Sequence, residues 1–318
     1  MSEFDLIQRY FTRATPGAVL GVGDDAALLA VRAGMELAVS TDMLVSGTHF
    51  FPDADPFLLG HKALAVNLSD LAAMGAAPRW ATLALSLPQV DEAWLAAFSR
   101  GFFSLAGQYG VELIGGDTTR GPLNLSVTIM GEVPAGSAMR RDAAQVGDDI
   151  WVSGTLGDAA LALAHMQRRI VLPPEVFAAC AARLHQPQPR VELGMQLRGL
   201  AHSAIDVSDG LLADLGHILT GSRLGAEIRL DDLPMCDFLR EHLAQAALLR
   251  CVLAGGDDYE LCFTAPLTHR AEIQQRTSAL GLTVTCIGKV TAGRGCKVYG
   301  GDGREMEIKE SGYDHFQA

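Results

Sequence analysis

Residues 206–219 read DVSDGLLADLGHIL, and the fold turns on that stretch. Asp206 and Asp209 lie three residues apart, where an apolar strand (SAIDV) gives way to the first turn of an amphipathic helix. Free backbone N–H groups at such a turn favour bound oxygen anions, so metal and phosphate can meet there. A second Ser-Asp pair, in NLSD at 67–70, precedes the small-residue run LAAMGAAP and echoes the first. Other glycine-flanked or strand-end acidic clusters are GVGDD at 21–25, STD at 40–42, GGDTTRG at 115–121 and GGDDYE at 255–260.

Working outward, the pattern is α/β. The first half predicts a short helix over 3–11, a strand over 36–42, a helix over 56–74, a strand over 80–87, a helix from 91 to about 109, a short strand ending at GGD, and a strand over 124–133. That order, βαβαββ after the first helix, fits mixed sheets covered by helices better than a strictly alternating doubly wound sheet. The Gly- and Pro-containing stretch 134–148 reads as a connection, giving domains 1–137 and 147–318. The second half predicts strand DIWVSG, a helix opening at Gly157-Asp158, Pro-rich turns near 173 and 187–189, and a helix near 190–200. The 206–219 unit, strand AEIRL, GGDDYELCFTA, a helix near 269–280 and strand LTVTCIGKV follow, with a mostly polar tail over 300–318.

At 318 residues, with 49% hydrophobic and 19% charged residues, the chain is long enough for two cores and far from disorder. A net charge of −12 opposes binding to nucleic acid or an anionic membrane, both of which need a basic face, and suits a protein that holds divalent cations. No apolar run is long enough for a membrane span, and the N-terminus is acidic where a signal peptide is basic, so a cytoplasmic protein is expected. The six cysteines (180, 236, 251, 262, 286 and 296) contain no C-x-x-C pair, and the sequence gives them the reading of buried, reduced thiols.

Each Asp cluster alone is an ordinary cap or turn. Together, Asp24, Asp25, Asp42, Asp70, Asp117, Asp206 and Asp209 all fall near element ends, where α/β proteins build sites. If gathered, they repel one another unless cations intervene, and seven carboxylates are too many for one octahedral Mg2+, so several ions around phosphates are expected. No Walker loop, protein-kinase triplet or GxGxxG turn is present. Phosphoryl transfer with metal-held phosphates fits, since it demands positioning and charge neutralisation more than a protein nucleophile. Ser40, Thr41 and Ser208 offer oxygen ligands. Arg141 is either a phosphate clamp or a solvated linker residue. His49, seven residues after STD, stands out among nine histidines.

The stretches GVGDDAALL, STDMLVSGTHF, KALAVNLSDLAAMGAAPRW, LIGGDTTRGPL, AIDVSDGLLADLGHI, GGDDYELCF and GYDHF, in this order, resemble the thiamine-monophosphate kinase family over nearly the whole chain. The SDLAAMGA and DxSDG parts are shared with the wider superfamily of aminoimidazole ribonucleotide synthetase. The resemblance implies an aminoimidazole ribonucleotide synthetase-like fold of two α/β domains with mixed sheets, and a homodimer paired through the N-terminal domains. It implies transfer of phosphate from ATP to thiamine monophosphate, the last step of thiamine diphosphate synthesis. Residue by residue, it implies several Mg2+ ions on Asp25, Ser40, Thr41, Asp42, Asp70, Asp117, Asp206 and Asp209. It places ATP against Gly116, Asp117, Arg141 and Ser208, with Tyr109 a weaker candidate, and thiamine phosphate against His49, Asp257 and Tyr313. No general base is expected. Where the family reads GGEDYE, this chain has GGDDYE, which makes the carboxylate at Asp257 one methylene shorter.

Two other readings share these clusters. Superfamily members that make selenophosphate or modify hydrogenase use a reactive terminal Cys, whereas here the first Cys is Cys180 and the chain ends SGYDHFQA. A non-catalytic cation- or nucleotide-binding protein would not account for His49, Arg141 and Tyr313. Phe50, Phe51, Trp80 and Phe316 are candidates for packing on the thiamine rings, against the simpler reading that they are core.

Overall fold

The computed structural model describes residues 2–308, 312–313 and 315–316; Asp314 of the GYDHF stretch and the last two residues of the tail lie outside them. The chain divides into two compact units, 1–71 with 76–136, and 72–75 with 137–318.

In the first unit, helix α1 (Glu3–Leu6) opens with a capping box between Ser2 and Asp5 and runs into a single π-helical turn, Ile7–Phe11. Strand β1 (Met35–Val45), helix α2 (Pro56–Ala73), strand β2 (Ala77–Leu87), helix α3 (Glu92–Tyr109) and strands β3 (Glu112–Arg120) and β4 (Asn124–Pro134) follow. The sheet order is β1-β4-β2-β3, with β2 and β3 parallel and the other pairs antiparallel. The α2 and α3 backbones nearly touch, because a Cβ on Gly60 or Gly101 would run into the Phe98 or Phe57 carbonyl of the other helix. Leu64, Leu68, Phe98, Phe102 and Ile129 are completely buried in this unit. Glu132, buried on β4, accepts bonds from the Arg32 amide (2.8 Å) and its Nε (2.6 Å), which anchors the loop carrying Asp24 and Asp25 to the sheet.

The second unit contains β5 (Asp149–Ser153), α4 (Asp158–Met166), α5 (Pro174–His185), α6 (Val191–Leu197), β6 (Ser203–Asp206), α7 (Leu211–Ser222), β7 (Gly225–Arg229), α8 (Asp237–His242), α9 (Ala246–Ala254), β8 (Leu261–Ala265), α10 (Arg270–Ala279), β9 (Val284–Thr291) and β10 (Gly295–Tyr299). Its sheet runs β10-β7-β9-β5-β8-β6. Strands β5 and β8 are buried at every residue, as central strands covered on both faces must be. Among the described residues no helix is long and apolar enough to cross a membrane.

Three local expectations are corrected. The Ser69-Asp70 pair is not a strand-to-helix corner like Ser208-Asp209, since it lies inside the last turns of α2. The strand at GGD does not end there. A register shift between Ala81 and Thr82 lets β3 continue to Arg120, with Asp117 paired to Ala84. Between the prolines near 173 and 187 there is a full helix, α5, because Pro174 sits at a first-turn position where its missing N–H is harmless.

Candidate functional site

In the first unit the acidic residues of β1 and α2 face one another. Alternation along β1 turns Ser40 and Asp42 toward α2, where the Ser40 hydroxyl donates to Asp70 Oδ2 at 2.5 Å and the Asp42 amide donates to Asn67 Oδ1 at 3.1 Å. Asn67 is itself fixed by its Nδ2 bond to the Ala63 carbonyl one turn back (3.0 Å). Thr41 points to the other face and bonds Thr128 of β4 at 2.8 Å, so its side chain stands apart from the Ser40–Asp70 pair. Gly116 has φ +147, and a Cβ there would strike the Leu83 carbonyl, so only glycine allows β3 to run this close to β2 at the residue before Asp117. Asp25 lies on an exposed loop closed by the Leu20–Leu28 bridge, with its amide bonded to Asp24 Oδ1 at 2.9 Å. His49 Nδ1 accepts the Val45 amide at 2.9 Å, which places the ring proton of neutral His49 on Nε2. Tyr109 is the last residue of α3.

In the second unit Asp206 is buried at the end of β6, and the 207–210 turn packs against the GGDDYE loop. The Asp257 amide donates to the Ser208 carbonyl (2.9 Å) and the Tyr259 amide to the Val207 carbonyl (2.8 Å). Glycines permit the approach, because a Cβ on Gly256 would meet the Ser208 carbonyl and one on Gly210, at φ +127, the Ala254 backbone. The Tyr313 amide bonds the Asp209 carbonyl at 3.0 Å. Ser208, Asp209, Asp257 and Tyr313, some a hundred residues apart in sequence, are therefore neighbours. Asp257 adopts φ +70, uncommon outside glycine, and its Oδ1 accepts the Tyr259 hydroxyl at 3.1 Å. Of the two linker arginines, Arg140 is held by Asp142 (2.9 and 2.7 Å), while among the described residues no ion pair holds the Arg141 guanidinium.

The turn differs from its sequence reading in one respect. The amides of Ser208, Asp209 and Gly210 are not free for an anion; all three donate to Asp214 Oδ2, at 3.0, 3.0 and 3.1 Å. Asp214 is buried in the first turn of α7 and reaches back over the turn. Burial pushes its carboxyl up to about 7, with the charge of Asp209 adding to the rise and the three amide bonds opposing it. Its signal in the sequence was only a polar residue on a mostly apolar helix. The other acids of GGDDYE are structural. Asp258 accepts the Gly157 amide at the start of α4 (2.8 Å), and buried Glu260 pairs with Arg190 and the Ser153 hydroxyl (2.6 Å). Trp80 is core, its Nε1 bonded to the Gly17 carbonyl at 3.2 Å, and Phe316 is exposed.

The expected metal donors fit a hard cation. Every one is a carboxylate or hydroxyl oxygen, with no thiol or imidazole among them, which is the donor chemistry of Mg2+.

Family models describe the same chain. The AIR synthase related protein N-terminal domain matches residues 23–133 and its C-terminal domain residues 145–301. A thiamine-monophosphate kinase of Escherichia coli is 50% identical over 318 residues, covering 99% of this chain and 98% of that protein. The crystal structure of a thiamine-monophosphate kinase from Stenotrophomonas maltophilia is 51% identical with a TM-score of 0.85, covering 95% of this chain and 96% of that one. A structure described as AaThiL complexed with AMPPCP and TMP is 30% identical with a TM-score of 0.78, covering 98% and 96%. Matched in this way along nearly all its length, in sequence and in fold, the chain belongs to the thiamine-monophosphate kinase family.

Proposed function

We propose that this protein transfers the γ-phosphoryl group of ATP to thiamine monophosphate, releasing ADP and thiamine diphosphate. The observation that carries the reading is half-identity over the full length to a thiamine-monophosphate kinase, in a chain that carries the STD, GGDTTRG, DVSDG and GYDHF stretches. Incubation with ATP, Mg2+ and thiamine monophosphate, followed by chromatography, tests it. Thiamine diphosphate and ADP are expected in equal amounts; ATP consumed without thiamine diphosphate would refute it.

The attacking group is a phosphate oxygen of thiamine monophosphate. With a second pKa of about 6, that phosphate is already mostly ionised at neutral pH, so no side chain need remove a proton. Asp25, Ser40, Thr41, Asp42, Asp70 and Asp117 of the first unit, and Asp206 and Asp209 of the second, are the proposed Mg2+ ligands. Bound magnesium supplies neutralisation of the charge on the phosphate oxygens. Arg141, whose guanidinium is in no ion pair among the described residues, would contact ATP phosphate. Gly116 and Ser208 offer backbone and hydroxyl contacts to the nucleotide, with Tyr109 a further candidate. His49, donating from Nε2, together with Asp257 and Tyr313, would hold thiamine monophosphate.

The proposal extends to a homodimer formed through residues 1–137, with 147–318 as the second functional domain. Supporting it, β1 carries an apolar stripe on the face turned away from α2, with Leu37, Val39 and Met43 exposed and Val39 at 56%. The six free cysteines support a reducing, cytoplasmic location.

Asp257→Glu restores the length of side chain usual in the family. If Asp257 now reaches the substrate through a bridging water, the variant keeps or lowers the KM for thiamine monophosphate in steady-state assays. A large rise in KM would show instead that the φ +70 turn and the Tyr259 bond have adapted the loop to the shorter acid.

A further inference from the structure

Asp158, Cys180 and Cys236 bring one carboxylate oxygen and two thiol sulfurs within 4.8 Å of one another. The three come from separate segments: the first turn of α4, the middle of α5 and the residue preceding α8. No short Cys spacing could therefore have announced them. They line a cavity of about 390 Å³ together with Glu175, Arg183 and Asp237. Asp158 is only 8% exposed. Its Oδ2 accepts the Thr155 hydroxyl at 2.6 Å, but its Oδ1 is buried with no hydrogen-bond partner. A buried acceptor left without a donor is costly, and three carboxylates against one guanidinium around the cavity favour a positive occupant.

We propose that Asp158, Cys180 and Cys236 form a second metal site, which takes Zn2+ or another thiophilic divalent cation and is independent of the magnesium chemistry. Thiolate donors select such ions over Mg2+. Ligands bonded to one zinc at about 2.0 to 2.3 Å lie about 4 Å or less from each other, so small rotations of the three side chains close the site. The fourth position falls to water or to Glu175 or Asp237. As the metal–sulfur bonds form, both thiol protons pass to solvent. An ion here would tie α4, α5 and the α8 entry together beside Gly157, whose amide holds Asp258 of the GGDDYE loop.

The test uses reduced, chelator-stripped, full-length protein in saturating Mg2+, so that oxygen-donor sites are filled, titrated with Zn2+ alone and separately with Co2+. One equivalent of Zn2+ per chain is expected, with a rise in melting temperature and a thiolate-to-cobalt charge-transfer band. Cys180→Ser/Cys236→Ser and Asp158→Asn should lose the equivalent and the band, whereas Cys251→Ser, at a buried thiol outside the cluster, keeps both. In case the double variant fails to fold, Zn2+ should protect two thiols of the wild-type chain from alkylation, mapped by mass spectrometry to Cys180 and Cys236. No bound equivalent, a band that survives in the double variant, or protection that falls on other cysteines overturns the site.

Discussion

Asp209→Asn and Asp42→Asn are each expected to reduce ADP formation by at least about 100- to 1,000-fold while the chain stays folded. The magnitude is that of removing one preorganised electrostatic group from a reaction whose barrier is mainly charge. Asparagine keeps the size of the side chain but not its charge, so the loss reports cation binding and not packing. Neither side chain is fully buried, and the amide bonds from Asp42 to Asn67 and from Asp209 to Asp214 are left in place by the substitutions. Steady-state assays with circular dichroism and a thermal melt check the pair. An unfolded variant would assign the aspartate to structure, and a fully active one would remove it from the reaction.

The second large effect is expected at Asp214, which the sequence did not mark. Asp214→Ala takes the single acceptor from the amides of Ser208, Asp209 and Gly210. An unsatisfied buried amide costs about 1 to 3 kcal/mol. Ser208 and Asp209 are half-buried and water recovers part of their loss, so destabilisation by about 3 kcal/mol is expected in denaturant unfolding. Kinase activity should fall with it, since the same turn presents Ser208 and Asp209. Asp214→Asn, with its side-chain oxygen in place of Oδ2, should keep the fold and much of the activity. An alanine variant as stable as the parent would show that the turn is held by its contacts with the GGDDYE loop instead.

Why Asp214 was hidden is instructive. The reading of residues 206–219 rested on period and composition: an apolar strand, a Ser-Asp-Gly turn and an amphipathic helix, and β6 and α7 are there. Periodicity says which face a residue occupies; it does not say that a side chain bends back to cap its own helix. The Ser69-Asp70 pair misled for the related reason that a short motif looks alike inside a helix and at a corner. The α5 helix was obscured because Pro173-Pro174 carries the composition of a turn while also satisfying the rule for a helix start. Pairing between distant segments was least legible. That Asp257 lies against Ser208, and Tyr313 against Asp209, depends on glycines at 210 and 256 whose need is visible only once the two backbones are seen to touch. The cluster of Asp158, Cys180 and Cys236 was likewise unreadable, its three donors lying on different elements.

Crystals grown with Mn2+ in place of Mg2+, a non-hydrolysable ATP analogue and thiamine monophosphate test the central claim most directly. Anomalous scattering should place manganese within bonding distance of carboxylate oxygens at Asp42 and Asp70 in the first unit and at Asp206 or Asp209 in the second, with nucleotide phosphate oxygens completing the coordination. Bound nucleotide and thiamine monophosphate with no manganese at those aspartates would contradict it.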